Sequence, residues 1–175
     1  MKETQKEFHD IAMTQILVKL AILGSAACAI QVLESPLPRF LPWLKPGLSN
    51  ALVLFALIKF SPRFAINLVI LRTMLSGFFL GMLFSPPFYL SLGGGVCSTV
   101  IMIILLFSRK FEFGLVGISV AGAVINNLAQ FGILHLVFLG TTQNLAHIFL
   151  AIWTGIPSGI IIALLTRELL RRNAL

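Results

Sequence analysis

Long apolar stretches alternate with short polar breaks along the whole chain. The apolar runs cover residues 13–33, 48–60, 64–84, 88–107, 113–139 and 145–165. A membrane helix needs about 20 such residues, because about 1.5 Å of rise per residue must cross about 30 Å of hydrocarbon. The run at 48–60 is short for this and spans only with tilt or help from the loop before it. None of the runs shows the alternating polarity, over segments of about ten residues, of an outer-membrane barrel. The breaks carry residues that end helices: ESPLPRFLPWLKPG with Pro36, Pro38, Pro42 and Pro46, then Ser61-Pro62, Ser85-Pro86-Pro87 and Gly140-Thr141-Thr142. The pattern predicts an all-α integral membrane protein, one domain over 1–175, with six transmembrane helices and an ordered extracellular loop at 34–47.

Composition points the same way. Apolar residues make up 58% of the chain and charged ones 11%, with a mean hydropathy of +0.99. Soluble domains hold about 45–50% and about 25%. Six acidic residues cannot solvate the surface of so short a chain, so the bilayer is its solvent. A net charge of +7 would suggest nucleic acid in a soluble protein. Here the Lys and Arg stand in ones and twos at the ends of apolar runs, where they set topology. With the N-terminus inside, Lys2, Lys6, Lys19, Lys59, Arg63, Arg109, Lys110, Arg167, Arg171 and Arg172 fall on the inner side, against Arg39 and Lys45 outside. Both termini are therefore expected in the cytoplasm. No small-residue cleavage signal precedes Glu34, so the first run reads as a retained helix and not a signal peptide.

Polar residues inside the runs are the candidate chemistry. Arg72 stands about nine residues into the third run, where a guanidinium costs at least about 2.5–3.5 kcal/mol unless it faces a cavity or a partner. It is either a structural cation bonded to helix oxygens or a fixed charge for an anionic substrate group. Glu34 closes the first run, as an interfacial carboxylate or as a partner for Lys45 or a cationic substrate group. Asn126 and Gln130 share a helix face with Ser119, while Asn127 points about 100° away. Such amides tie helices together at about 0.6 kcal/mol each, but their clustering suggests the wall of a polar pocket, to which Asn50 and Asn67 would add. Ala21, Ser25 and Ala29 form a small-residue stripe, as do Gly77 with Gly81 and Gly155 with Gly159, and such stripes let helices approach closely. The first stripe could instead dock a partner membrane protein. Gly93 to Gly95 would admit a ligand or a neighbouring helix.

Other chemistry has no residues to carry it. His9, His135 and His147 are far apart with no carboxylate at ligand spacing, so no metal site is expected. Cys28 and Cys97 lie inside apolar runs, which argues against a disulfide framework. No Gly-rich phosphate loop with Lys and Ser/Thr is present, hence no ATPase. Asp10 is the sole aspartate, whereas chemistry on diphosphates uses carboxylates to hold Mg²⁺. No cofactor and no catalytic residue are expected.

The segment Lys45-Pro46-Gly47-Leu48-Ser49-Asn50 after the Pro-rich loop, with Leu71-Arg72-Thr73 and Ser76-Gly77, resembles a bacterial membrane family. That family is known as heptaprenyl diphosphate synthase component I, or Gx transporter, and the resemblance covers about residues 14–170. It is similar in turn to the substrate-binding S components of energy-coupling-factor (ECF) transporters. Those are small six-helix proteins with both termini inside and a ligand pocket capped by the loop between the first two helices. The resemblance implies an S-component-like bundle in the bacterial cytoplasmic membrane, a lid within Glu34–Lys45, and a pocket drawing on Arg72, Asn126, Asn127 and Gln130. In S components an Ala-xxx-Ala stripe on the first helix meets the energising subunit. Here the corresponding pair is Ala21-xxx-Ser25, a departure from that pattern. A prenyl synthase carries paired Asp-rich motifs, which this chain lacks, so the synthase name implies at most an accessory partner of a catalytic subunit.

The leading expectation is a substrate-binding membrane subunit that captures a small molecule with an anionic group from outside. Its site would comprise Arg72, Asn126, Asn127, Gln130, Glu34, Lys45 and Asn50, its partner-docking stripe Ala21, Ser25 and Ala29, and its partners ATPases and a coupling subunit. The alternative is a non-catalytic accessory subunit of heptaprenyl diphosphate synthase or quinone biosynthesis. That reading implies a soluble prenyl synthase as partner and lipid-facing grooves in place of an enclosed pocket. A purely structural scaffold ranks third, and no nucleic-acid partner is expected.

Overall fold

The structure is a computed structural model and describes residues 2–35, 47–108, 114–135 and 145–172. The described residues form six helices and no strand: α1 (Lys2–Glu34), α2 (Ser49–Lys59), α3 (Pro62–Phe79), α4 (Pro86–Phe107), α5 (Leu115–Ile133) and α6 (Leu145–Arg172). Four of them, α1, α4, α5 and α6, are long and apolar enough to cross a membrane. Large apolar side chains such as Leu33, Phe79, Phe107, Phe149 and Trp153 point outward. An outer surface this apolar suits lipid and not water. The described elements are all helical, and the chain is a multi-pass membrane protein.

Of the six spans expected from hydropathy, the two remaining helices fall short of that measure, and the run at 48–60 is already short in the sequence. α3 has 18 residues but carries Arg63 and Arg72. α2 has 11, about 16 Å at about 1.5 Å per residue, or half the hydrocarbon thickness. It is short because it sits inside the bundle: Ser49 to Leu57 are all buried. α2 packs against α1, α3, α4 and α6, and its Val53, Leu54 and Leu57 join Leu68 and Val69 of α3, Met102 of α4 and Ile162 of α6 in the main core.

Helix ends follow local chemistry more than hydropathy. Ser61 caps α3, its hydroxyl accepting from the Phe64 N–H at 3.2 Å, and Pro62 supplies a preset φ at the first helical position. α3 then stops at Phe79, before the residue 84 at which the apolar run ends. Gly81 adopts φ +63°, and Met82 N–H donates to Gly77 O (2.8 Å) while Gly81 N–H donates to Phe78 O (3.1 Å). This is a Schellman ending, which needs the left-handed residue that glycine provides. Gly81 therefore turns the chain and does not pack: a Cβ there would meet nothing within 4 Å. α1 and α6 run beyond their apolar runs at residues 13 and 165, because intrahelical hydrogen bonds continue wherever charged residues tolerate the helix. The last turn of α6 is stabilised by exposed Glu168–Arg171 (3.2 Å) and Glu168–Arg172 (2.8 Å) pairs.

The α5–α6 seam holds the second half of the bundle together. A Cβ at Gly155 would lie 2.8 Å from Val124 Cα, and one at Gly159 2.4 Å from Val120 Cα, so the two backbones touch. Ser119 Oγ donates to Gly159 O at 2.7 Å across this seam. Thr166 Oγ1 in turn donates to Ala51 O (3.2 Å), which ties α6 to α2.

Candidate functional site

A buried polar centre forms where the first turn of α2 meets α1, α3, α4 and α5. Arg72 is 3% exposed. Its Nη1 donates to Ser49 Oγ and its Nη2 to Asn50 Oδ1 (2.6 Å). Both partners are neutral oxygens on the first turn of α2, so the guanidinium pins that helix to α3. Glu34, also buried, closes α1 and accepts from the Leu48 N–H at 2.6 Å. A carboxylate suits this place, because the opening N–H groups of a helix lack intrahelical partners and carry positive dipole charge. Glu34 also attracts Arg72 electrostatically.

Amides and small residues complete the wall. Asn126 and Gln130 of α5, Gln31 and Glu34 of α1, Ser91 of α4 and Gly47 surround the Arg72 centre in a cavity of about 20 Å³. A second cavity of about 20 Å³ shares Gln31 and Ser91 and adds Ser35, Thr73 and Ser76. Gln31 Nε2 donates to Ser91 Oγ at 3.0 Å. Gly94 and Gly95 make room for the centre: a Cβ on Gly94 would lie 2.6 Å from Gln130 Cγ, and one on Gly95 3.2 Å from an Arg72 guanidinium nitrogen. The expected close approach at the glycine triplet is thus an approach of side chains from α3 and α5.

Hydrogen bonding in the centre is incomplete. Arg72 Nε, Gln31 Oε1 and Gln130 Oε1 are buried with no protein partner. Each such group costs about 1–3 kcal/mol if left dry, and a cavity of about 10–15 Å³ accommodates one water. Each cavity is therefore the size of a water molecule. A metabolite enters this centre only if the helix ends around it part.

The structure brings together Arg72, Glu34, Asn50, Asn126 and Gln130 of the residues singled out from sequence. Asn127 is elsewhere: its Nδ2 donates to Ala151 O (3.1 Å) and Thr154 Oγ1 (3.3 Å), so it belongs to the α5–α6 seam. Ser119 faces the same seam. Asn67 is exposed near the far end of α2, away from the centre. Lys45, with most of the expected lid, lies outside the described residues. Ala21, Ser25 and Ala29 lie on the exposed side of α1, with Ser25 Oγ bonded back to Ala21 O (2.8 Å). Sequence reading missed Gln31, Ser49 and Ser91 as site residues. Gln31 had a usable signal, since it lies three residues before Glu34 and so on the same helix face. Ser49 and Ser91 had none, because a lone serine fits almost any helix.

These features define a polytopic helical membrane protein with a cationic polar centre. Among its described side chains the carboxylates are Glu34 and Glu168, and Glu168 is engaged by exposed arginines. The chain belongs to the heptaprenyl diphosphate synthase component I family, whose model matches residues 23–169. No curated protein and no solved structure matches it.

Proposed function

We propose that this chain is the non-catalytic membrane subunit of a prenyl diphosphate synthase system, and that its Arg72 centre receives an anionic group. Family membership supports the setting. The observation that carries the site is a buried guanidinium whose Nε, like Gln130 Oε1, lacks a protein partner. Arg72 would supply the positive charge, Asn126, Gln130 and Gln31 would orient the ligand, and Glu34 with Asn50 would hold the mouth at the α1–α2 junction. The scarcity of carboxylates leaves Mg²⁺-dependent diphosphate chemistry to the partner subunit. In this reading all six helices belong to the membrane domain, spanning residues 1–175, with both termini on the cytoplasmic side of the plasma membrane.

A second reading is uptake, with the chain as the capture subunit of an ECF-like transporter. Burial of the centre's polar side chains within the bundle favours it, and so does the exposed Ala21, Ser25 and Ala29 stripe, which a coupling subunit would cover. Purification from native membranes in mild detergent, with mass spectrometry of the partners, separates the two. A soluble prenyl synthase is expected. Paired ATPases with a coupling membrane protein would overturn the synthase setting in favour of uptake, and wild-type ligand retention in Arg72→Ala would overturn the site in both.

A further inference from the structure

At the opposite end of α2 lies an open groove that the polar centre does not touch. It runs between the start of the apolar span of α1 and the α2–α3 junction, with a volume of about 690 Å³. Its walls are apolar, with Ile16 and Leu17 from α1 facing Phe60 and Phe64, whose rings pack at 4.7 Å. Three cations line it, Lys19, Lys59 and Arg63, and among the described residues no acidic one does. Lys19 is the telling one. It is exposed six residues beyond Met13, where the apolar span of α1 begins, or about 9 Å along the helix. Its Nζ lies 5.7 Å from the centroid of the Phe60 ring, a cation–π distance. An ammonium at that depth needs an anion or a path to the headgroups.

We infer that this groove binds an anionic phospholipid, with its phosphate among Lys19, Lys59 and Arg63 and one acyl chain along Ile16, Leu17 and Phe60. Charge complementarity and the apolar walls select such an occupant, since a free phosphate leaves the walls bare and an uncharged lipid leaves the cations unmatched. Basic pockets beside apolar helix surfaces are a recurrent way to hold anionic headgroups. The inference is independent of the function proposed for the Arg72 centre.

The test reconstitutes the full chain in nanodiscs containing phosphatidylglycerol and phosphatidylcholine, then reads retained lipid by native mass spectrometry. Wild-type protein is expected to keep phosphatidylglycerol selectively. Each of Lys19→Gln, Lys59→Gln and Arg63→Gln should weaken retention about fivefold, and the triple variant on the order of a hundredfold. Lys59 and Arg63 are exposed at a helix junction, so Lys59→Gln and Arg63→Gln retain the fold even if Lys19→Gln perturbs α1. Equal retention of phosphatidylcholine, wild-type retention in the Lys59→Gln and Arg63→Gln variants, or a retained prenyl diphosphate in place of phospholipid would each overturn the assignment.

Discussion

The two ends of α2 handle positive charge in opposite ways. At its first turn Arg72 is buried among Ser49, Asn50, side-chain amides and the Glu34 carboxylate, beside cavities of about 20 Å³. At its last turn Lys59 joins Lys19 and Arg63 around an open groove of about 690 Å³. Two of the buried guanidinium's nitrogens hold the first turn of α2, so shifting that helix would strand Arg72, Ser49 and Asn50 together. The second end faces the surroundings and can draw its counter-charge from them. One end therefore positions α2, and the other leaves cations available to a partner from outside.

Substitutions at the closed end should break this contrast most severely. Arg72→Ala strands Ser49 Oγ and Asn50 Oδ1 and opens a void, and is expected to cost about 3–5 kcal/mol. Thermal unfolding in detergent would show it, and an unchanged melting temperature would mean that Arg72 does not secure α2. Gly94→Ala drives a methyl into Gln130 and Asn126 and should cost about 1–3 kcal/mol. Gly132→Ala, which meets nothing within 4 Å, should instead be neutral or gain up to about 1 kcal/mol, as the same melts would report. Removing the carboxylate that caps α2, in Glu34→Ala, should cost about 1–2 kcal/mol. Glu34→Gln should retain part of that, because an amide oxygen still accepts from Leu48 N–H. Asn127→Ala should loosen only the α5–α6 seam, by about 0.6 kcal/mol. It should leave any ligand retained at Arg72 in place, a comparison that native mass spectrometry makes directly. Lys59→Gln at the open end should change the melt by less than about 0.5 kcal/mol.

The class of this protein was legible in the sequence because membrane solvation acts on residues one by one. A run of apolar residues must be helical in lipid, whatever it packs against. The centre was half legible. Arg72 and Glu34 stood out because charge in an apolar run is costly, and Asn126 with Gln130 because a four-residue spacing places side chains on one face. Asn127 was misplaced by the same local view: spacing separates two faces of α5 but does not say which face meets α6. Ser49 and Ser91 carried no local signal, since their roles come from Arg72 and Gln31 reaching across from other helices, and the glycine triplet signalled close approach without saying which side chains would fill it.

Residue chemistry and spacing were sufficient to establish an all-helical membrane protein and its few buried polar candidates, since both follow from free energies of transfer and from helical periodicity. Tertiary structure alone decided that α2 is a buried core helix, that Arg72 pins its first turn, and that the lone cations Lys19, Lys59 and Arg63 surround one groove. Each of these depends on which helices pack together, and packing joins residues that are far apart in the chain.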